Sequence, residues 1–402
     1  MERGGKVSNI SILKHSKCLS CRSCELSCPK NSIKMNSSLE GFLYPLVDSS
    51  CIDCGLCIKV CPALSPIKEK NIEPERYAVI LKDKKINSKS SSGGLYGGIA
   101  SYILQNEGIV FGASYDSELN VEITKIDNVD DLQKIQGSKY VAADTKNTFL
   151  DVKKLLARNR VVLYGATPCQ IAGLKKFLKK DYENLYTMDL ICHGVPSNKL
   201  FQKYLSWLGN KYRGKIIYYG FRDKDVSGWS CCGKVIVKTK TKTKILEGMC
   251  DPYYYGFLQC ENYRESCYSC PYAKNNGRIG DLSMGDFWGT DLTYPYIPSK
   301  NGISFLSINT AKGKKLFNLV KDLFDVFEVP ESESMIENIA YNRPSVRPTS
   351  RDDYYNGLDG DIDAYFKSKQ CVSKFKFFLY NKVLKFIPKK LKMFIKKIIG
   401  KV

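Results

Sequence analysis

CLSCRSCELSCPKNSIKMNSSLEGFLYPLVDSSCIDCGLCIKVCP, residues 18–62, contains one pattern twice. The run Cys-x-x-Cys-x-x-Cys-x-x-x-Cys-Pro occupies Cys18, Cys21, Cys24, Cys28 and Pro29, then returns as Cys51, Cys54, Cys57, Cys61 and Pro62. Soft thiolates duplicated at this spacing suit a pair of 4Fe-4S clusters, in which three close cysteines hold one cluster and the fourth crosses to the other. Cluster 1 is therefore expected on Cys18, Cys21, Cys24 and Cys61, and cluster 2 on Cys51, Cys54, Cys57 and Cys28. Structural zinc sites usually pair two short Cys-x-x-Cys units and have no use for a tripled run ending in Cys-Pro. A disulfide framework belongs to secreted chains, and MERGGKVSNISILKH at the start lacks an apolar signal core. Between the runs, IKMNSSLEGFLYPLVD reads as a hairpin turning at Asn36 to Gly41. A small ferredoxin-type module over 1–66 is expected, followed by a polar, proline-marked linker over 67–74.

The remaining length, with 43% hydrophobic and 12% aromatic residues, is enough for one large or two medium domains. Seventeen cysteines without a signal peptide point to a reducing cytoplasm. The net charge of +21 raises the question of nucleic acid. No zinc-finger, RNP or helix-turn-helix signature accompanies it, so no nucleic-acid partner is expected. The lysines concentrate instead near the C-terminus, where 374–402 carries ten Lys and no acid. Within 351–402, expected to be a helical tail, the lysines from 373 onward interleave with Phe, Leu, Ile and Met at near-helical period. That tail is too short and charged to span a bilayer. Two readings stay open: peripheral contact of 373–402 with an anionic membrane, or a solvated helix packed on the body.

From residue 75 the pattern alternates. YAVILK, IVFGASY, LNVEITKI, VVLYGA and NLYTMDLI read as strands, and LYGGIASYILQNE, FLDVKKLLARN, PCQIAGLKKFLKK and SNKLFQKYLSWLG as helices, the last capped by Ser197 and stopped at Gly209. KDKKINSKSSSGG reads as a loop. KIIYYGF, KVIVKTK and TKILEGM read as three later strands, the last two a hairpin, which argues against a purely parallel sheet. The expected class is α+β, close to α/β, with a mixed sheet over 75–350.

Nine cysteines lie beyond the linker. Cys169, in GATPCQ, and Cys192, in CHGVP, follow strands, where open α/β sheets form their ligand crevice. Cys267 and Cys270 share SCYSCP. These four thiols suffice for a third cluster, but buried single cysteines also serve as small apolar core residues, and spacing alone leaves the choice open.

In order, EGFLYPLVDSSCIDCGLC, SSGG, GSKYV, TPCQIAGLKKFL, DLICHGVPS, FRDK, SCYSCPYA and GDLSMGDFWG resemble the beta-subunit family of coenzyme F420 hydrogenases and dehydrogenases, over about residues 15–350. The resemblance implies a flavoprotein holding FAD beside a 4Fe-4S cluster. It implies Cys169, Cys192, Cys267 and Cys270 as that cluster's ligands, with Cys260 the rival for the place of Cys169; Cys231, Cys232, Cys250 and Cys371 are left as structural.

In that context Ser91, Ser92, Gly93 and Gly94 are expected to offer backbone amides to the FAD phosphates at a helix start, although such a loop is otherwise a plain linker. Ser138 and Lys139, in GSKY, add a hydroxyl and a cation. Thr167 and Gln170 flank a proposed ligand and suit the isoalloxazine edge. His193 is expected to supply a proton or to hydrogen-bond the cluster. Arg222 and Asp286 either shape the site or hold turns. The implied function is an iron-sulfur flavoprotein oxidoreductase, exchanging electrons with a ferredoxin or redox partner subunit and serving an organic or deazaflavin-type substrate. The alternative is an electron-transfer adaptor subunit of a larger redox complex.

Overall fold

The computed structural model describes residues 8–67, 72–230, 232–237, 242–274, 277–288, 294, 296–298, 300–329 and 338–377. The basic tail beyond 377, Cys231 and part of the linker lie outside the described residues.

In chain order the strands are β1 (Ile33–Ser37), β2 (Leu43–Val47), β3 (Glu75–Leu81), β4 (Ile109–Tyr115), β5 (Val121–Ile126), β6 (Val162–Ala166), β7 (Leu185–Leu190), β8 (Ile216–Gly220), β9 (Cys232–Val237), β10 (Lys242–Glu247), β11 (Leu282–Asp286), β12 (Ser304–Ile308) and β13 (Phe324–Glu328). β1 and β2 form the expected hairpin, antiparallel from Ile33 opposite Val47 to Ser37 opposite Leu43. Its turn needs Gly41: φ is +85°, and a Cβ there would sit 2.2 Å from the Lys199 Cβ.

The main sheet runs β13-β3-β12-β11-β7-β6-β4-β5. Its centre, β11, β7, β6 and β4, is parallel, while both flanks pair antiparallel. β6 is buried at every residue because helices cover both faces, the environment that favours continuous apolar runs such as VLYGA. On one face Ile99, Leu163, Met188, Leu306 and Phe317 form the core beneath the helices Leu95–Gln105 and Ala311–Val320. On the other, Phe149, Val162, Tyr164, Ile171 and Phe177 pack beneath Thr148–Ala157 and Pro168–Leu178. Each fully buried side chain of this size contributes about 1.5–3 kcal/mol.

Several expectations change. The loop after β3 contains a helix, Lys84–Ser88, capped by the Asp83 carboxylate accepting from Ile86 N. The helix begun by Ser197 continues past Gly209 to Tyr212, because Arg213 takes the left-handed C-cap. The late hairpin does not join the main sheet; β10, β9 and β8 form a separate antiparallel sheet. That sheet packs through Tyr219, Phe221 and Val235 on Leu200, Phe201, Tyr204 and Leu208 of the Asn198–Tyr212 helix. β11, β12 and β13, which with β3 make up one side of the main sheet, carry no strong alternation and were not expected.

Candidate redox centres

Each cysteine run folds into a left-handed residue, one helical turn and a proline-bearing exit. The turns bring the fourth cysteine of one run beside the first three of the other. Cys18, Cys21, Cys24 and Cys61 line one pocket with Ile10, Leu13 and Pro62. Cys28, Cys51, Cys54 and Cys57 line a second. These two donor sets match the crossed pairing. Among the described residues no three His, Cys, Asp or Glu side chains converge as a single ion requires. A cubane has no need of such a point, since each thiolate binds a different iron.

The pockets differ in setting. In the first all four cysteines are buried; in the second only Cys57 is buried, and Cys54 is exposed. Burial pushes the Cys21 thiol up to about 12 and raises Cys24 and Cys61, with neighbouring thiols adding to it. At Cys28 slight burial is outweighed by hydrogen bonds from Ser32 and nearby backbone N–H groups, which hold its pKa below the ordinary thiol value. An iron-sulfur core fits the first pocket because metal charge replaces the proton that burial otherwise retains.

The first pocket is also the one against the body. Ser23 Oγ donates to Gly173 O at 2.9 Å, and a Cβ on Gly173 would lie 2.7 Å from the Cys21 Cβ. Arg22 grips Asp144 with two hydrogen bonds, 2.5 and 2.8 Å. Tyr272 donates to Pro62 O at 2.9 Å, and Arg264 Nε to Cys18 O at 2.7 Å.

Just across this contact lie the other four thiols. Cys169 follows β6 and Cys192 follows β7, both at carboxyl ends of adjacent parallel strands, while Cys267 and Cys270 sit on and after the turn Glu265–Ser269. Burial raises Cys169 to about 11, Cys267 to about 12 and Cys270 to about 11, and lifts Cys192 well above a free thiol; in each case one or more of the other three raises it further. Cys260 acts instead on the phenols of Tyr263 and Tyr268. The structure thus gathers Cys169, Cys192, Cys267 and Cys270, and the set suits a third cluster on the same argument as the first pocket.

Between the two buried sets stand groups that sequence reasoning missed. The Arg264 guanidinium, 2% exposed, lowers Cys169 and Cys267 while bonding to Cys18 O, so one buried cation serves both sides. The Tyr272 phenol is influenced by Cys169, Cys21 and Cys270 together. Lone Arg and Tyr residues carry no spacing signal that would have marked them.

Ser91 and Ser138, 47 residues apart, meet where Ser138 N donates to Ser91 Oγ at 2.7 Å. Gly93 is wedged against the sheet, and Gly94 takes φ +85° at the start of the helix Leu95–Gln105. Lys139 Nζ donates to Gln136 O and Gly137 O, and Lys224 Nζ to Asn87 and Ser92 O. Burial lowers Lys139 to about 7 and Lys224 to about 8, Arg222 also depressing the latter. Neither lysine forms an ion pair among the described residues. Lys224 Nζ spends its three N–H groups on Asn87 and Ser92, whereas Lys139 Nζ has two carbonyl partners and lies 5.6 Å over the Tyr115 ring, so this corner fits a dinucleotide phosphate through Lys139.

Thr167 and Gln170 stand apart from that corner. They form a capping box at the start of Pro168–Leu178, and Gln170 Nε2 donates to Ala143 O at 2.7 Å, so their hydrogen-bonding groups already hold the Cys169 turn. His193 is exposed just beyond the end of β7, and desolvation by its surroundings lowers its pKa against the opposing charge of Asp286. The segment 138–145 runs past all of these places. Ser138 meets Ser91, Ala142 N donates to Pro196 O, Ala143 O receives Gln170 and Asp144 receives Arg22.

Residues 159–330 match the family model for the C terminus of the coenzyme F420 hydrogenase/dehydrogenase beta subunit, and residues 17–64 match a 4Fe-4S dicluster domain. No curated protein matches. Among solved structures, a chain of the F420-reducing NiFe hydrogenase complex from Methanosarcina barkeri is similar at 14% identity and a TM-score of 0.43, over 75% of this chain and 93% of that one.

Proposed function

Because the chain belongs to the coenzyme F420 hydrogenase/dehydrogenase beta-subunit family and carries a 4Fe-4S dicluster domain, an iron-sulfur electron-transfer assignment is its premise, and we propose that it is a flavin-dependent oxidoreductase with three clusters. It exchanges electrons with a ferredoxin-type or subunit partner and acts on an organic substrate. The observation that carries this reading is the continuity of buried thiol sets. A partly exposed set faces solvent, a buried set abuts the body, and four more thiols lie across Arg264 and Tyr272.

Each part of the chain has a task in this reading. Cys54 and its neighbours admit electrons at the surface. Arg22 and Asp144 hold the module so that the inner set stays against Gly173. Arg264 favours thiolate at Cys169 and Cys267 and holds the module through Cys18 O. Bound flavin would supply the exchange between single electrons and a hydride. Ser91, Ser138 and Lys139 would hold its phosphates, and exposed His193, next to Cys192, would supply a proton.

Anaerobic purification of the full chain with iron and flavin analysis tests the reading. About twelve irons and one flavin per chain are expected from three cubanes and one dinucleotide. A protein with about eight irons and no flavin, after reconstitution, contradicts it and leaves the relay adaptor.

A further inference from the structure

Arg222 lies at the start of FRDK, beyond β8, and its side chain is 3% exposed. Nε donates to Ser230 O at 3.1 Å and Nη1 to Asp286 Oδ2 at 2.5 Å. Nη2 has no partner among the described residues. Asp286 cannot turn to serve it, because its other oxygen accepts from Trp229 Nε1 at 2.9 Å. The guanidinium lies 5.2 Å over the Trp288 ring, and Trp288 stacks on Trp229 at 4.4 Å and 2°, so its plane is fixed. A buried, charged N–H held in one orientation calls for an acceptor.

The surroundings say which acceptor. Asp286 ends β11, the parallel neighbour of β7, so Arg222 stands at the same carboxyl edge as Cys192 and His193. Lys224 feels Arg222 as a neighbouring cation, with Asp286 the carboxylate acting on both. Asp223 is engaged with Lys234 at 3.6 Å and Asp225 with Lys89 at 3.5 Å. Asp286 already accepts from Arg222 Nη1 and Trp229 Nε1, and Lys224 Nζ is spent on Asn87 and Ser92 O, so the donor left over at this edge is Arg222 Nη2. A single charge-assisted donor suits a monoanionic carboxylate better than a phosphate dianion.

We propose that Arg222 is an anion-binding residue at the carboxyl edge of the main sheet, donating from Nη2 to a carboxylate group of the organic substrate. The word substrate rests on the oxidoreductase reading; the anion site rests on the side chains alone. Its Nη1 and Nε bonds position the fork, and the Trp229–Trp288 stack keeps water from the guanidinium face. Lysine cannot replace this geometry, since a point charge lacks the fork that Asp286 and Ser230 O orient.

The test is calorimetric titration of the full-length, anaerobically purified protein with benzoate as a simple monocarboxylate, and with inorganic phosphate as competitor. Saturable benzoate binding that weakens about ten-fold or more in Arg222→Gln is expected, as for loss of a charge-assisted hydrogen bond, with Arg222→Lys also weakened and phosphate not competing. Wild-type affinity in an Arg222→Gln protein of unchanged thermal midpoint overturns the proposal, as does the absence of benzoate binding by the wild type. Displacement of benzoate by phosphate also overturns it, in favour of a phosphate site. If Arg222→Gln does not fold, undiminished affinity in Arg222→Lys overturns it and a loss supports it. Flavin analysis of the same sample separates the two readings: Arg222-dependent binding without flavin keeps this inference and removes the oxidoreductase, whereas flavin with Arg222-independent binding does the reverse.

Discussion

Arg22 and Gly55 occupy the same place in the two cysteine runs, and both are left-handed, with φ +61° and +71°. In the outer copy glycine takes this conformation without a steric penalty, and its Cβ position meets nothing closer than 3.7 Å. In the inner copy an arginine takes it, at a cost of about 1–2 kcal/mol. The difference is explained by what arginine reaches: Asp144 of the body through two hydrogen bonds, and Glu25 of its own turn. Ligand spacing is the same in both copies, so spacing makes the cluster pocket. The residues between the ligands decide which pocket is docked and which is left to solvent.

Exchanging the crossed ligands breaks the comparison most severely. Cys61→Ser is expected to remove about four irons from the inner pocket and Cys28→Ser about four from the outer, as the crossed pairing requires. Iron analysis with EPR of the reduced proteins checks it, and depletion of the inner signal in Cys28→Ser would show the pairing to be uncrossed. The Cys61 variant should also lose more stability, since its neighbour Pro62 anchors Tyr272.

Alanine at the two glycines sharpens the contrast. Gly173→Ala places a methyl 2.7 Å from the Cys21 Cβ and should cost about 1–3 kcal/mol by overpacking, read as a lower thermal midpoint. Gly55→Ala has room for the methyl and should cost only the left-handed strain of about 1–2 kcal/mol. Equal iron retention and equal midpoints in both would remove the distinction between docked and open pockets.

Acid should act on the docked copy through Asp144. Burial alone raises this carboxyl, but the Arg22 guanidinium and the Lys146 N–H outweigh it and hold the pKa below the usual carboxylate range. A group with a depressed folded-state pKa contributes stability above its unfolded value and loses it as pH falls through the folded value. Asp144→Asn is therefore expected to lower the midpoint at neutral pH, by about 1–2 kcal/mol equivalent for one charge-assisted bond, and to flatten its decline below about pH 4. A parallel decline in both proteins would assign the acid sensitivity elsewhere. The smallest effect is expected at the outer rim. Ile52 is 58% exposed beside Cys51 and Cys54, and Ile52→Asp should raise the KM for a reduced ferredoxin donor by a few-fold, about 1 kcal/mol for a rim contact, without changing iron content.

Much of the local structure was legible in the sequence because it rests on short-range rules. The β1–β2 hairpin follows from alternation broken at Gly41. The buried strand β6 follows from an unbroken apolar run, and the start of Pro168–Leu178 from proline at its first position with Thr167 and Gln170 around it. Spacing also named the two cysteine sets that line the two pockets. The docking of the first pocket did not, since Arg22, Asp144, Gly173 and Arg264 are separated by tens to hundreds of residues and are individually unremarkable types. Thr167 and Gln170 show the same limit from the other side: residues read for what they offer a ligand are found holding a helix cap. β11 to β13 escaped notice because their partners across the sheet, rather than their own alternation, make them strands.

The central claim is that electrons cross from the outer pocket to the body only through the inner one. Stopped-flow mixing of reduced ferredoxin with the full-length Cys61→Ser protein tests it most directly, following iron-sulfur and flavin absorbance together. The account predicts that the outer cluster is reduced as in the wild type while the body chromophores stay oxidised. Reduction of the body at the wild-type rate in a protein lacking the inner cluster would contradict it.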